Sequence, residues 1–298
     1  MELTVIIAGL LLAIGGLAAL AGLIRCASAA DGTDPARRPA DPPTGGLPAR
    51  RGPAVGSGAG PGRRARTRIQ MSPGRVLALS LAVGLGVIAV ASVSLGKLVE
   101  DVTHGDGLAL IDHPVARFVA AHRTPALTSA MGAVSAVAAP AAMAGIALAA
   151  GVLLAIARRS WAPVLELGVT VVGIVGLTVV FKATLGLPRP PAALAAAAAD
   201  GYGFPSGHAA TAAAVCGVAA WLATTRVRSR PARAGMWAVA AMLTVAVGIS
   251  RVYLGVHWAT DVIGGWIFGI LWMAIVVGAW AAFGRLHAST NARATRNE

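Results

Sequence analysis

The sequence predicts an all-α integral membrane protein, and three observations lead to this fold class. First, 56% of the 298 residues are hydrophobic and only 12% are charged, with a mean hydropathy of +0.73, whereas about a quarter of the residues in soluble domains are charged. Second, apolar runs of the length that crosses a hydrocarbon core of about 30 Å recur along the chain. Third, Ala and Gly are abundant within these runs, which favours close packing of helices.

The apolar runs predict seven crossings, of which the last six form a helical core. One apolar stretch, from Leu127 to Ala157, is interrupted by Pro140, and we interpret it as a short surface helix followed by a span. The predicted spans are Leu3 to Ile24, Val76 to Leu95, about Ala139 to Ala157, Pro163 to Phe181, Ala209 to Thr224, Ala234 to about Tyr253, and Trp258 to Phe283.

The composition divides the chain into an N-terminal transmembrane anchor at 1–24, a linker at 25–75, a six-helix domain at 76–284 and a tail at 285–298. The linker is rich in Pro, Gly, Ala and Arg and has too few bulky apolar side chains to bury a core, so we expect it to be disordered. Its ten Arg residues stand against three Asp. The sequence leaves two alternatives for the linker: it contacts anionic lipid head groups, or it is solvated and has no partner.

The basic residues predict the orientation of the spans. If the linker is cytoplasmic, alternation of the spans also places the tail and the Arg-rich loops at 158–159 and 226–233 in the cytoplasm. This agrees with the positive-inside rule. Six of the 25 Lys and Arg residues fall elsewhere, namely Lys97, Arg117, Arg123, Lys182, Arg189 and Arg251. The net charge of +13 is thus dispersed over loops, which argues against a nucleic-acid-binding face.

An alternative reading concerns the first span. Ala27-Ser28-Ala29 has the form of a signal-peptidase site, but Met1-Glu2 lacks the positive charge that precedes a signal peptide, so we expect a retained anchor. The two cysteines, Cys26 and Cys216, are too few for a disulfide framework or a zinc cluster.

Three short patterns lie at the extracytoplasmic ends of predicted spans, where ionisable groups are costly and usually functional. They are "KATLGLPRP", "PSGH" and "SRVYLGVHWATD". Together they bring histidines, cations, a hydroxyl and a carboxylate to one depth of the membrane, and the candidate site residues are Lys182, Arg189, Ser206, Gly207, His208, Arg251, His257 and Asp261.

These residue types predict phosphoryl transfer. The four-residue spacing of His257 and Asp261 allows the carboxylate to orient the imidazole and leave one ring nitrogen as a nucleophile. The three cations suit an anion site, because guanidinium groups match phosphate oxygens. Backbone N–H groups at the start of a helix after Ser206 add donors, and His208 is placed to protonate a leaving oxygen.

With these residues the sequence resembles the type 2 phosphatidic acid phosphatase family of membrane lipid phosphatases. Its signature, K-x6-RP, PSGH and SR-x5-H-x3-D, is matched in full and in order over roughly Val76 to Phe283. The resemblance implies that His257 becomes a phosphohistidine, that Asp261 orients it, that His208 is the acid, and that the remaining five candidates hold the phosphate. It also implies that the reaction needs neither a metal nor another cofactor.

Competing functions remain open. A lipid transporter is expected to have broken helices and a pattern that repeats in the two halves of the chain, and the sequence displays neither. A catalytically silent scaffold would have lost signature residues. Vanadium haloperoxidases resemble the family at the same motifs but are soluble. His104, His113 and His122 lie in a polar segment without an acidic partner at ligand spacing, so we expect them to be solvated.

The motifs are expected to contact the phosphate, and they do not indicate which lipid tail the substrate carries. Phosphatidate, phosphatidylglycerol phosphate and polyprenyl diphosphate all fit a site that opens among helices. We favour an undecaprenyl-type polyprenyl diphosphate, cleaved at the outer face of the plasma membrane, because an outward-facing site would recycle the carrier lipid of cell-wall synthesis. The expected partners are therefore the lipid substrate and surrounding membrane lipids, and nucleic acid is not expected; oligomeric state is left open.

Overall fold

The computed structural model describes residues 73–294, and within this range all regular secondary structure is helical. The predicted span Leu3 to Ile24 and nearly all of the linker at 25–75 lie outside the described residues. The α-helices are α1 (Pro73–His104), α2 (Asp112–Ala121), α3 (Pro125–Val137), α4 (Pro140–Arg158), α5 (Ala162–Leu185), α6 (Gly207–Thr224), α7 (Arg230–Tyr253) and α8 (Ala259–Ala294). Two 3₁₀ turns, Gly107–Ile111 and Ala192–Leu194, lie between them.

Six helices in the described part of the chain are long and apolar enough to cross a membrane: α1, α4, α5, α6, α7 and α8. This confirms the all-α membrane fold with its six-helix core. The interruption predicted at Pro140 is also confirmed, because this proline is the first residue of α4 and the short α3 precedes it. Proline is tolerated there, where its missing N–H would have no partner within the helix.

The predicted end of α1 at Leu95 is wrong, because the helix continues to His104. The charged residues beyond Leu95 are compatible with a helix: the Lys97 Nζ atom lies 3.2 Å from the Glu100 carboxylate and 3.0 Å from that of Asp101. These are the three- and four-residue spacings at which opposite charges meet on one helical face. The polar segment that follows contains α2, a helix that the hydropathy pattern did not predict.

Local sequence sets several helix boundaries. Thr124 caps α3 by accepting a hydrogen bond from the backbone N–H of Leu127 at 3.3 Å, and Ser229 caps α7 in the same way. Gly186 ends α5 in the left-handed conformation (φ 61°), which favours glycine. α8 begins at Ala259, one residue later than predicted, and continues past Phe283 to Ala294.

α6 is the central helix of the bundle, buried on nearly all sides by α4, α5, α7 and α8. Its closest approach is to α8, where Gly265 and Gly269 form a small-xxx-small pattern. A Cβ atom at Gly265 would lie 2.6 Å from the Ser206 carbonyl oxygen, and one at Gly269 would lie 2.4 Å from that of Ala210. These two glycines therefore allow the start of α6 to lie directly against the start of α8.

Candidate active site

The three sequence patterns meet at one end of the bundle. Ser206 donates its backbone N–H to the Asp261 carbonyl oxygen at 2.9 Å, which joins the start of α6 to the first turn of α8. The Trp258 indole N–H donates to the Pro188 carbonyl oxygen at 3.3 Å, and so connects the loop after α5 to the same point. The eight candidate residues thus come from α5, α6, α7, α8 and the segments between them, and they lie at the same end of the helices.

His257 and Asp261 form the predicted pair. The His257 Nδ1 atom lies 3.0 Å from Asp261 Oδ2, and the two side chains are 2% and 1% exposed. His257 precedes α8 and is not part of it, so the contact depends on the helix cap. Asp261 Oδ2 also accepts the Trp258 backbone N–H at 3.0 Å, which holds the carboxylate toward the histidine.

Arg189 determines which tautomer His257 adopts. Its Nη1 atom lies 3.1 Å from His257 Nε2, and since a guanidinium can only donate hydrogen bonds, this contact assigns Nε2 as the unprotonated nitrogen. Nδ1 therefore carries the hydrogen that Asp261 accepts. The pKa of His257 also favours a neutral ring. Burial is the largest cause that lowers this pKa well below its usual value, and the nearby Arg189, Lys182 and Arg251 lower it further. The imidazole is neutral, with its Nε2 lone pair directed toward the cations.

The three cations are held in place by oxygen atoms of the protein. Lys182 Nζ donates to the carbonyl oxygens of Tyr202 at 2.5 Å and Gly203 at 2.8 Å. Arg189 donates through Nε to the carbonyl oxygen of Gly201 at 3.0 Å, and Arg251 donates through Nη1 to the Ser135 hydroxyl. An ammonium has three donors and a guanidinium five, so each of these groups retains donors for an anion.

Two buried polar atoms of the candidate residues that the motifs assign to an anion have no hydrogen-bond partner within residues 73–294: Ser206 Oγ and Arg251 Nε. Ser206 precedes α6 without capping it through its side chain. Buried polar groups almost always have partners, and these two come from different segments of one site. Together with the backbone N–H groups that open α6 at Gly207, these atoms are available to donate to an anion.

His208 lies half-buried in the first turn of α6. The charged or ionisable groups close enough to act on it are Arg251, His257, Arg189 and Lys182. It therefore faces the same site as the other seven candidates. The structure brings together all eight residues that the motifs selected.

Sequence reasoning missed several residues that position the site. Asp112, in the first turn of α2, accepts hydrogen bonds from the Thr260 backbone N–H at 3.0 Å and from its hydroxyl at 2.5 Å. It thereby holds the start of α8 beside Asp261, and burial raises the pKa of this carboxyl. Arg123 donates to the carbonyl oxygens of Tyr253 at 2.8 Å and Leu194 at 2.7 Å. Their signal in the sequence was only that they are charged residues outside the predicted spans.

His104, His113 and His122 are exposed, and no group of three or more His, Cys, Asp or Glu side chains in the described part of the chain could hold a metal ion. His113 instead contacts the Trp258 ring edge-on, with centroids 4.7 Å apart. The expectation of a reaction without metal stays a prediction.

Comparison with known proteins gives the family. The sequence profile of the PAP2 superfamily matches residues 163–285. Phosphatidylglycerophosphatase B of Bacillus subtilis is 30% identical over 176 residues, which cover 59% of this chain and 86% of that protein. Undecaprenyl-diphosphatase of Sulfolobus acidocaldarius is 40% identical over 68 residues, 23% of this chain and 29% of that protein.

A solved structure is also similar. The crystal structure of a transmembrane PAP2-type phosphatidylglycerolphosphate phosphatase from Bacillus subtilis superposes with a TM-score of 0.60 at 27% identity, and the match covers 64% of this chain and 94% of the other. The match at 30% identity covers most of the Bacillus subtilis relative, and the solved structure shares the helical fold. This chain therefore belongs to the PAP2 superfamily and is a multi-pass membrane lipid phosphatase.

Proposed function

We propose that the protein hydrolyses the terminal phosphate of a membrane lipid through a phosphohistidine at His257. The observation that carries this proposal is the pair of contacts on the imidazole, with Asp261 at Nδ1 and Arg189 at Nε2. They fix a neutral tautomer whose lone pair points to where the cations would hold a phosphate. In the first step Nε2 attacks phosphorus and the bond from phosphorus to the lipid oxygen breaks.

His208 is proposed as the acid and base. In the first step it donates a proton to the lipid oxygen, which leaves as an alcohol or, from a diphosphate, as a lipid monophosphate. In the second step it accepts a proton from the water that attacks the phosphohistidine, so that inorganic phosphate and free His257 are formed. Lys182, Arg189, Ser206, Gly207 and Arg251 would neutralise the equatorial oxygens in both steps.

Two lipids are proposed as substrates. Phosphatidylglycerol phosphate is supported by the longer of the two matches described above, to a protein named phosphatidylglycerophosphatase B. An undecaprenyl-type polyprenyl diphosphate is supported by the shorter match. It is also supported by the orientation expected from the basic residues, in which the site would open at the outer face of the plasma membrane.

A panel assay tests the substrate. Purified protein in detergent micelles is given phosphatidylglycerol phosphate, undecaprenyl diphosphate and phosphatidate, and released phosphate is measured with excess chelator present. We expect activity to persist in chelator and to be inhibited by vanadate, which mimics five-coordinate phosphorus. Loss of activity in chelator that a divalent ion restores would contradict the proposed mechanism.

Reporter fusions test the orientation of the site. A reporter inserted near Pro53 or fused after Glu298 is expected to read as cytoplasmic, and one near Gly105 as external. A cytoplasmic signal near Gly105 would place the site at the inner face.

A further inference from the structure

An apolar groove opens on the side of the bundle between α4, α6 and α7, and α3 lines its end nearest the active site. Its volume is about 890 Å³. Its three helical walls include Ala219 and Ala220 of α6, Leu243 of α7 and Ile146 of α4. The lining consists almost entirely of carbon atoms, as a site for a hydrocarbon chain would require.

The groove leads to the phosphate-binding residues. On α6 the lining residue nearest the active site is Ala212, which lies one helical turn below His208 on the same face. On α7 it is Val247, which lies one turn below Arg251. Ser135, whose hydroxyl accepts a hydrogen bond from Arg251, lies in the same part of α3 that lines the groove. Two of the groove's three helical walls therefore continue into site residues.

We propose that this groove holds the hydrocarbon tail of the lipid substrate during the reaction, an assignment that rests on the proposed function. In an in-line displacement the leaving group departs on the side opposite the nucleophile. The tail is attached to the leaving oxygen, and His208 protonates that oxygen. The tail must therefore pass His208, and the face of α6 below His208 is the groove.

The length of the groove fits this occupant. From Ala212 to Ala223 the α6 wall rises about 17 Å at 1.5 Å per residue. Half of a hydrocarbon core of about 30 Å is about 15 Å. A chain that follows α6 from the active site would therefore lie in the groove to the middle of the membrane.

A second apolar groove, of about 510 Å³, lies between α1 and α8 and fits the tail less well. It is lined by Val83 and Val90 of α1 and by Ile267 and Ile270 of α8. At 100° per residue these two isoleucines lie on the face of α8 directed away from Asp261. This groove therefore does not continue to the side on which the lipid oxygen would leave.

Filling the groove tests the proposal. In Ala219→Phe the new ring projects into the groove about 16 Å below His208, too far to touch the reacting atoms. We expect kcat/KM for dipalmitoyl phosphatidylglycerol phosphate to fall by about tenfold or more, because overpacking excludes the tail. Turnover of p-nitrophenyl phosphate, which has no tail, should stay within about twofold of wild type. The matched control is Ala241→Phe, at an exposed α7 position outside the groove, which should change neither rate.

The outcomes are distinguishable. Equal losses on both substrates in Ala219→Phe would overturn the proposal, because they would show that the groove supports the helix bundle as a whole and does not select for a lipid tail. An unchanged rate on the lipid would overturn it as well. Wild-type protein that released phosphate neither from these two substrates nor from undecaprenyl diphosphate would overturn the proposed function and the tail assignment with it.

Cross-linking provides a measurement that needs no variant. Phosphatidylglycerol phosphate with a diazirine in its acyl chain should label peptides of α6 and α7 on illumination, and the unlabelled lipid should compete. Labelling confined to α1 and α8 would place the tail in the second groove and overturn the proposal.

Discussion

Both ends of the helix bundle bury charged side chains, but they use them differently. At the end away from the active site, Arg158 donates to the Leu222 carbonyl oxygen and, at 2.9 Å, to the Thr225 hydroxyl. These contacts satisfy the last turn of α6, and they fasten α4 to it. Glu166, nearby on α5, is only 3% exposed, and its Oε2 atom has no partner in the described part of the chain.

The active-site end differs in the number of segments that converge. Lys182, Arg189 and Arg251 come from three separate segments, and the unpaired atoms Ser206 Oγ and Arg251 Nε lie in the same site. The three cations lie beside the carboxylate of Asp261, and a doubly charged phosphate would bring further negative charge among them. A buried charge or one unpaired atom is therefore weak support for a site, whereas several donors that converge on one neutral imidazole are strong support.

The largest effect is expected at Asp261. Asp261→Asn replaces the acceptor of the Nδ1 hydrogen with an amide that can donate, which favours the tautomer with a protonated Nε2. By analogy with the same change in a Ser-His-Asp triad, turnover should fall by about 10⁴. The control is Asp106→Asn, at an exposed position, and phosphate release is the readout. A loss below tenfold would contradict the assigned tautomer.

His208 should show an effect that depends on the leaving group. His208→Ala is expected to slow phosphate release by about 10² to 10⁴ when the leaving group is a lipid alcohol. This is the usual range for general-acid catalysis. An aryl phosphate, whose leaving group needs little protonation, should recover a large part of that loss. His122→Ala, at an exposed histidine, serves as the control, and steady-state rates on both substrates are measured. Equal damage on the two substrates would show that His208 acts in binding or structure instead.

The candidate site residues could be predicted from the sequence because each lies in a short pattern whose spacing suits the chemistry. Asp112 and Ser135 could not, since their contacts join residues 148 and 116 positions apart. No local period or turn signal encodes such contacts, which depend on how α2 and α3 pack. The six long helices of the core were predictable from hydropathy, but the end of α1 was not, because charged residues can extend a helix through ion pairs.

A smaller effect is expected at Ser135, the residue that anchors Arg251. Ser135→Ala leaves the guanidinium without the hydroxyl that it contacts, and hydrogen bonds to charged groups contribute enough that KM should rise by about tenfold. Ser135→Thr retains the hydroxyl and should restore KM, whereas a purely structural role would not separate KM from kcat. Ser129→Ala, at an exposed position on the same helix, is the control. A lower kcat at unchanged KM would contradict a role in phosphate binding.

The smallest effect on activity is expected at the opposite end. Arg158→Gln removes donors to the end of α6 and should lower the free energy of unfolding by about 1 kcal/mol, as for other interhelical hydrogen bonds in membranes. The measurement is the Tm in detergent, with Arg226→Gln at an exposed position as the control. Activity per folded molecule should be unchanged. A selective loss of turnover at an unchanged Tm would mean that the two ends of the bundle do not differ in the way described.

The central claim is that His257 accepts the phosphoryl group, and trapping the intermediate tests it most directly. Protein mixed with an excess of p-nitrophenyl phosphate is denatured in alkali, which preserves phosphohistidine, and its peptides are sequenced by mass spectrometry. We predict a phosphoryl group on His257 that is labile to acid, absent from His257→Ala, and still formed slowly in His208→Ala. A phosphoryl group on another residue, or full turnover in His257→Ala, would contradict the account.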